Sequence, residues 1–158
     1  MAVGKGKIVG GFLLALQAAL GKYFYMTVSI HPQPGTIVIV DLNQGFRKPE
    51  MVKKRPAIII SALIPKRPTL CTIVPLSTTP PNPPMDHHCE LHLDPPLPHP
   101  YVSPTMWVKA DMVLTVAFHR LRLPFAGWDQ GQRAYDIRVI SEDELQRVKD
   151  CVRSALGL

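Results

Sequence analysis

Three cysteines, Cys71, Cys89 and Cys151, are all that 158 residues carry, and none stands in a CxxC pair. An odd, scattered set of thiols gives no disulfide framework and suits a reducing compartment. Acidic side chains are also scarce, 12 against 18 lysines and arginines, for a formal charge of +6. That imbalance suits a polyanionic partner, either nucleic acid or an acidic protein. There is no internal repeat, which excludes solenoids and propellers. The longest apolar stretch, Ile8 to Leu20, is too short to span a bilayer as a helix. What is plentiful is proline, at 17 residues, and apolar side chains, at 46%. This composition makes one compact domain rather than a disordered chain or two comfortable domains.

Residues 1–25, "MAVGKGKIVGGFLLALQAALGKYFY", do not match the rest. Two lysines precede the apolar stretch, and Ala18 and Ala19 close it in the manner of a signal-peptide core. Three readings compete: a secretory or membrane-surface segment, a helix packed on the domain or on a second subunit, and an upstream extension of a domain starting at Met26. The last two are favoured over membrane contact, because nothing after Met26 needs an oxidising compartment. The expected organisation is a hydrophobic helical extension, 1–25, and a working domain, 26–158.

After Met26 the turn cluster "HPQPG" feeds "TIVIVDL", Thr36 to Leu42, whose β-branched residues predict a strand. A polar, cationic loop with Gly45 and Pro49 follows. "RPAIIIS" predicts a second strand, with Pro56 confined to its beginning or to an edge. "TLCTIVPL" predicts a third. From Pro80 to Pro104 proline excludes helix and resists a central strand, leaving a long loop interrupted by "CELHL", Cys89 to Leu93. "TMWVKADMV" and "LTVAFHRL" read as one or two strands, and "AYDIRVI" as a further short one. The chain closes on a helix: Ser141 and Glu144 form a capping box, and Leu145, Val148, Val152 and Ala155/Leu156 recur at helical spacing. The expected class is α+β, a small twisted sheet or barrel with a terminal helix.

Several groups have chemical potential. Arg47, Lys48, Lys53, Lys54 and Arg55 concentrate cations on one connection, either a phosphate-binding loop or a solvated one. Arg55 differs from the others because Pro56 and an apolar strand follow it at once, so its guanidinium is held and able to grip a phosphate with both arms. Ser77, Thr78 and Thr79 end the third strand, as turn formers or as hydroxyls converging with Arg55. Lys109 and Asp111, two apart, point to one side of a strand, suited to proton transfer, charge stabilisation or a plain surface ion pair. "DHHCELHLD" holds His87, His88, Cys89 and His92, but their spacing fits no standard zinc site.

Taken in order, "PGTIVIVDL", "KKRPAIIIS", "IVPLSTT", "WVKADMVLTVAFHRL" and the capped final helix resemble the PemK/MazF toxins of bacterial type II toxin–antitoxin systems, over residues 33 to 158. The resemblance implies an SH3-like barrel that forms a homodimer. It implies a cytoplasmic, cofactor-free and metal-free endoribonuclease that cuts single-stranded RNA through its 2′-hydroxyl, and a cognate antitoxin as partner. It implies Arg55, Ser77, Thr78, Lys109 and Asp111 as the catalytic set, with Gln44, Arg47, Lys48, Lys53 and Lys54 on RNA. Lys109 stands where some members have arginine, and Asn43 to Lys54 holds no histidine where some members place one. A non-catalytic, gyrase-binding toxin of the related CcdB type, or a barrel that only binds nucleic acid or protein, is the alternative.

Overall fold

The computed structural model describes residues 28–158. The expected helical extension, 1–25, lies outside the described residues. The strands are β1 (Ile37–Asp41), β2 (Lys54–Ile59), β3 (Leu70–Ser77), β4 (His88–His92), β5 (Thr105–Lys109), β6 (Leu114–Ala117), β7 (Leu121–Arg122), β8 (Phe125–Asp129) and β9 (Gln132–Tyr135). The terminal helix α1 spans Glu142–Leu156. All pairings are antiparallel, and the main sheet runs β4-β5-β3-β2-β1-β7 with β6 also on β3.

β3 organises the sheet. One of its edges pairs with β2; the other pairs with β5 through Leu76 and Ser77 and with β6 through Leu70 to Ile73. The 3₁₀ turn Ala110–Met112 separates β5 from β6, so "TMWVKADMVLTVAFHRL" is two strands. Pro75 sits in the gap between these two ladders, a place that tolerates a missing N–H. Pro56 is the third residue of β2 and precedes the β2–β3 ladder, which starts at Ala57.

The run of apolar residues in β2 follows from burial on both faces. Ile58 joins Ile37, Val74, Leu76, Met106 and Val108 on one face, against Leu145, Val148 and Val152 of α1. Ala57 and Ile59 join Val38, Val40, Ile73, Val116 and Leu121 on the other. The expected barrel is therefore corrected to an open sheet with two cores. Its edges are covered instead of being joined. The Arg147 guanidinium of α1 donates to the Glu90 carbonyl of β4, and Val28 N–H donates to the Leu121 carbonyl of β7.

The capping box forms as the sequence predicts, with Ser141 Oγ accepting from Glu144 N–H and the Glu144 carboxylate accepting from Ser141 N–H. Gly157 closes α1 in the left-handed conformation, φ 70°, open to glycine without strain. Ala155 is half-buried against the core, whereas Leu156 is exposed at the last turn. A β8–β9 hairpin, missed in the sequence, turns at Gln130 and Gly131, both with positive φ. It takes in only the start of "AYDIRVI", whose later part makes a single bridge, Val139 to Thr36. Among the described residues no helix is long and apolar enough to cross a membrane.

The proline-rich segment between β4 and β5 is pinned down. Leu97 is 1% exposed in the core, Leu93 N–H donates to Pro104 O across the base of the loop, and the Arg138 guanidinium donates to Pro95 O. Leu97→Ala is expected to cost about 2–5 kcal/mol in chemical denaturation, as for other buried leucines. Leu63→Ala, at a site 58% exposed, should stay within about 0.5 kcal/mol of the parent.

Candidate active site

β2 begins where β3 ends, because the two run antiparallel. Their register pairs Ala57 with Pro75; extended by two residues it sets Arg55 opposite Ser77, on one face. A cleft of about 150 Å³ opens there, lined by Lys54, Arg55 and Pro56 of β2, Leu76 and Ser77 of β3 with Thr78 beyond it, and Pro100, Tyr101 and Met106.

Arg55 is half-buried, and its Nε donates to Val52 O at 2.9 Å. That bond fixes the guanidinium plane. Among the described residues nothing takes its two terminal nitrogens. Ser77 is buried, with its Oγ accepting from Thr79 N–H at 3.1 Å, so its own hydrogen is left to donate. Thr78 is exposed at the lip. A fixed guanidinium fork beside a pre-oriented hydroxyl is a donor array for a tetrahedral oxyanion such as phosphate.

Lys54 Nζ lies 3.7 Å from Asp41 Oδ2. The Asn43 backbone N–H holds the Asp41 carboxyl below its usual range; partial burial opposes this and Lys54 assists it. Tyr101 reaches Lys54 O with its hydroxyl at 3.5 Å. Burial raises its phenol above the usual value against the pull of the Arg55 charge.

The profile of the PemK-like, MazF-like toxin family of type II toxin–antitoxin systems matches residues 33–156. The chain belongs to this family. No curated protein sequence matches it. Solved structures share the fold, two of them as follows. One is an endoribonuclease in complex with its cognate antitoxin from a mycobacterial species, at 20% identity and TM-score 0.53, covering 81% of this chain and 97% of that one. The other is the Mycobacterium tuberculosis toxin MazF-mt6, at 16% identity and TM-score 0.51, covering 80% and 98%.

The toxin fold brings Arg55, Ser77 and Thr78 into one cleft, but not Lys109 and Asp111. Lys109 ends β5, opposite His88 of β4, and Asp111 lies in the 3₁₀ turn, so the two do not share a strand as the spacing predicts. Asp111 instead gathers with His87 and His88, whose ligand atoms and its own all lie within 4.8 Å of one another. His88 Nδ1 accepts the Met85 N–H at 3.0 Å, which sends the proton of the neutral ring to Nε2 and leaves neither nitrogen ready for a cation. Burial lowers the His88 pKa, aided by His87 and Lys109 and opposed by Asp111, which favours that neutral ring. Cys89 turns to the core and His92 is exposed, so the "DHHCELHLD" cluster is split.

Of the five residues expected on RNA, only Lys54 lines the cleft. Gln44, Arg47, Lys48 and Lys53 are exposed on the adjoining β1–β2 loop. The sequence reading missed the residue that holds this loop. Arg120 Nη1 donates to Asp41 O at 3.1 Å and Gln44 O at 2.9 Å, and its guanidinium lies 5.2 Å from the Phe46 ring centre. It also missed Tyr101, the one Phe, Tyr or Trp between Pro80 and Pro104.

Arg120→Ala should leave α1 and the sheet intact and loosen the loop. Amide hydrogen exchange over Asn43 to Glu50 is expected to quicken about tenfold, the consequence of losing bonds worth roughly 1 kcal/mol each. Exchange unchanged from the parent would show that the loop holds itself.

Proposed function

We propose that this toxin is an endoribonuclease that cuts single-stranded RNA in the cleft between the start of β2 and the end of β3. The supporting observation is the convergence of Arg55, Ser77 and Thr78 on one cleft, beside a loop rich in cations. The 2′-hydroxyl gives its proton to solvent water and its oxygen attacks the neighbouring phosphorus; the O2′–P bond forms as the P–O5′ bond breaks, and the departing O5′ takes a proton from solvent, leaving a cyclic phosphate and a free 5′-hydroxyl. Arg55 grips two phosphoryl oxygens and offsets the charge that grows on them. Ser77 donates its hydrogen to the same phosphate, and Thr78 contacts the nucleotide at the lip. Gln44, Arg47, Lys48, Lys53 and Lys54 receive the flanking RNA backbone. Lys109 and Asp111 do not line the cleft and have no part at the reacting phosphate in this scheme. The cation in this scheme is a guanidinium, so the reading includes no metal ion.

The same reading takes residues 26–158 as the working unit, a homodimer as its form and the cytoplasm as its place. Its antitoxin is a protein whose acidic segment lies over the cleft and excludes RNA.

The test is incubation of the purified toxin with a long single-stranded RNA in EDTA. Discrete cuts ending in cyclic phosphate are expected. Arg55→Ala should slow them by about a hundredfold or more, the usual cost of a lost oxyanion donor. Arg55→Lys should rescue little, because an ammonium cannot make the planar fork. A folded parent that makes no cuts, or an Arg55→Ala variant that cuts at the parental rate, would overturn the proposal.

A further inference from the structure

We propose that Tyr101 is a further residue of the site, a phenolic donor that binds a non-bridging oxygen of the same phosphate as Arg55. This rests on the reading of the cleft as a phosphodiester site.

Tyr101 lies 24 residues beyond Ser77 and 46 beyond Arg55, yet it lines the same cleft. Its ring packs against the core that holds Leu97 and Met106. Its hydroxyl reaches Lys54 O and lies within the electrostatic influence of Arg55 and Asp41. Among the described residues the hydroxyl's one hydrogen bond, to Lys54 O, is 3.5 Å long, at the outer limit for such a bond, where O–H donors normally sit near 2.7–2.8 Å. The donor is thus only weakly engaged, on a residue that lines the cleft.

The backbone that carries it is fixed. Tyr101 N–H donates to Pro98 O at 3.0 Å, and the buried Leu97 anchors the turn before it. A rigid mount of this kind is what a pre-organised donor requires.

Chemistry selects the role. A phenol already keeps its proton at neutral pH and burial shifts this one further the same way, so Tyr101 is not the base that takes the 2′ proton. A neutral O–H beside a guanidinium donates to an anion that both groups face. Tyr101 keeps its proton throughout, and no bond to it forms or breaks. Arg55, Ser77 and Tyr101 then surround the phosphate from β2, β3 and the β4–β5 loop, and the proline-rich insertion becomes a wall of the site.

The test compares the full-length parent, Tyr101→Phe and Tyr101→Ala. Each is checked first for thermal stability. Tyr101→Phe keeps the ring in the core and should melt with the parent. Its cleavage of long single-stranded RNA should fall about 10- to 100-fold, the worth of a hydrogen bond to a charged group. Phosphorothioate substitution at a mapped cut should slow the parent more than Tyr101→Phe, a difference that a merely packing role does not produce. A Tyr101→Phe variant that cuts at the parental rate with an equal thio effect would overturn the inference while leaving the nuclease reading intact.

If the folded parent cuts nothing, the nuclease reading fails and binding decides for Tyr101. The probe is a fluorescent pool of 2′-O-methyl RNA oligonucleotides, read by anisotropy at low salt. Weaker binding by Tyr101→Phe than by the parent supports a phosphate donor, and equal binding overturns it.

Discussion

The antiparallel pairing of β2 with β3 is the contact on which the rest of the molecule depends. It places Ile58 against Val74 on one face and Ile59 against Ile73 on the other, and so divides the apolar side chains between two cores. It also brings the first residues of one strand beside the last of the next. The side-chain period of two then puts Arg55 and Ser77 on one face. A slip of one residue would swap Ile58 and Ile59 between the two cores and separate the guanidinium from the hydroxyl together. Stability and site geometry are set by the same register.

The remaining elements steady that arrangement. β5 and β6 share the outer edge of β3 and break at Ala110–Met112, which carries Lys109 and Asp111 away from the cleft. Arg120 ties the cationic loop to the end of β1, keeping its exposed charges beside the cleft. The segment between β4 and β5 spends its prolines on a rigid loop and brings Tyr101 to the site. Each of these connections would otherwise add conformational freedom at the place where order is needed.

Much of this was legible in the sequence because local chemistry dictated it. The β-branched runs gave β1, β2 and β3; the Ser141–Glu144 pair gave the helix start; and the Arg-Pro step marked Arg55 as held. Other features were not local. Closure of a barrel depends on what covers the edge strands, and here α1 and the Val28 segment cover them. A strand-to-turn change at Ala110 cannot be read from a two-residue spacing, so Lys109 and Asp111 were placed together on one strand. Tyr101 and Arg120 reach their positions through pairings with residues dozens of positions away, and single-residue patterns carry no sign of that. The β8–β9 hairpin had a signal in Gln130-Gly131, but a glutamine with positive φ is an uncommon turn former.

The central claim is that one phosphodiester sits between the β2 start and the β3 end. A crystal structure of the toxin with a single-stranded RNA, 2′-deoxy at the cut position, tests it most directly. The account predicts one backbone phosphate in the cleft, within hydrogen-bond distance of both terminal nitrogens of Arg55 and of Ser77 Oγ. An ordered RNA whose phosphates pass along another face, leaving Arg55 and Ser77 without contact, would contradict it.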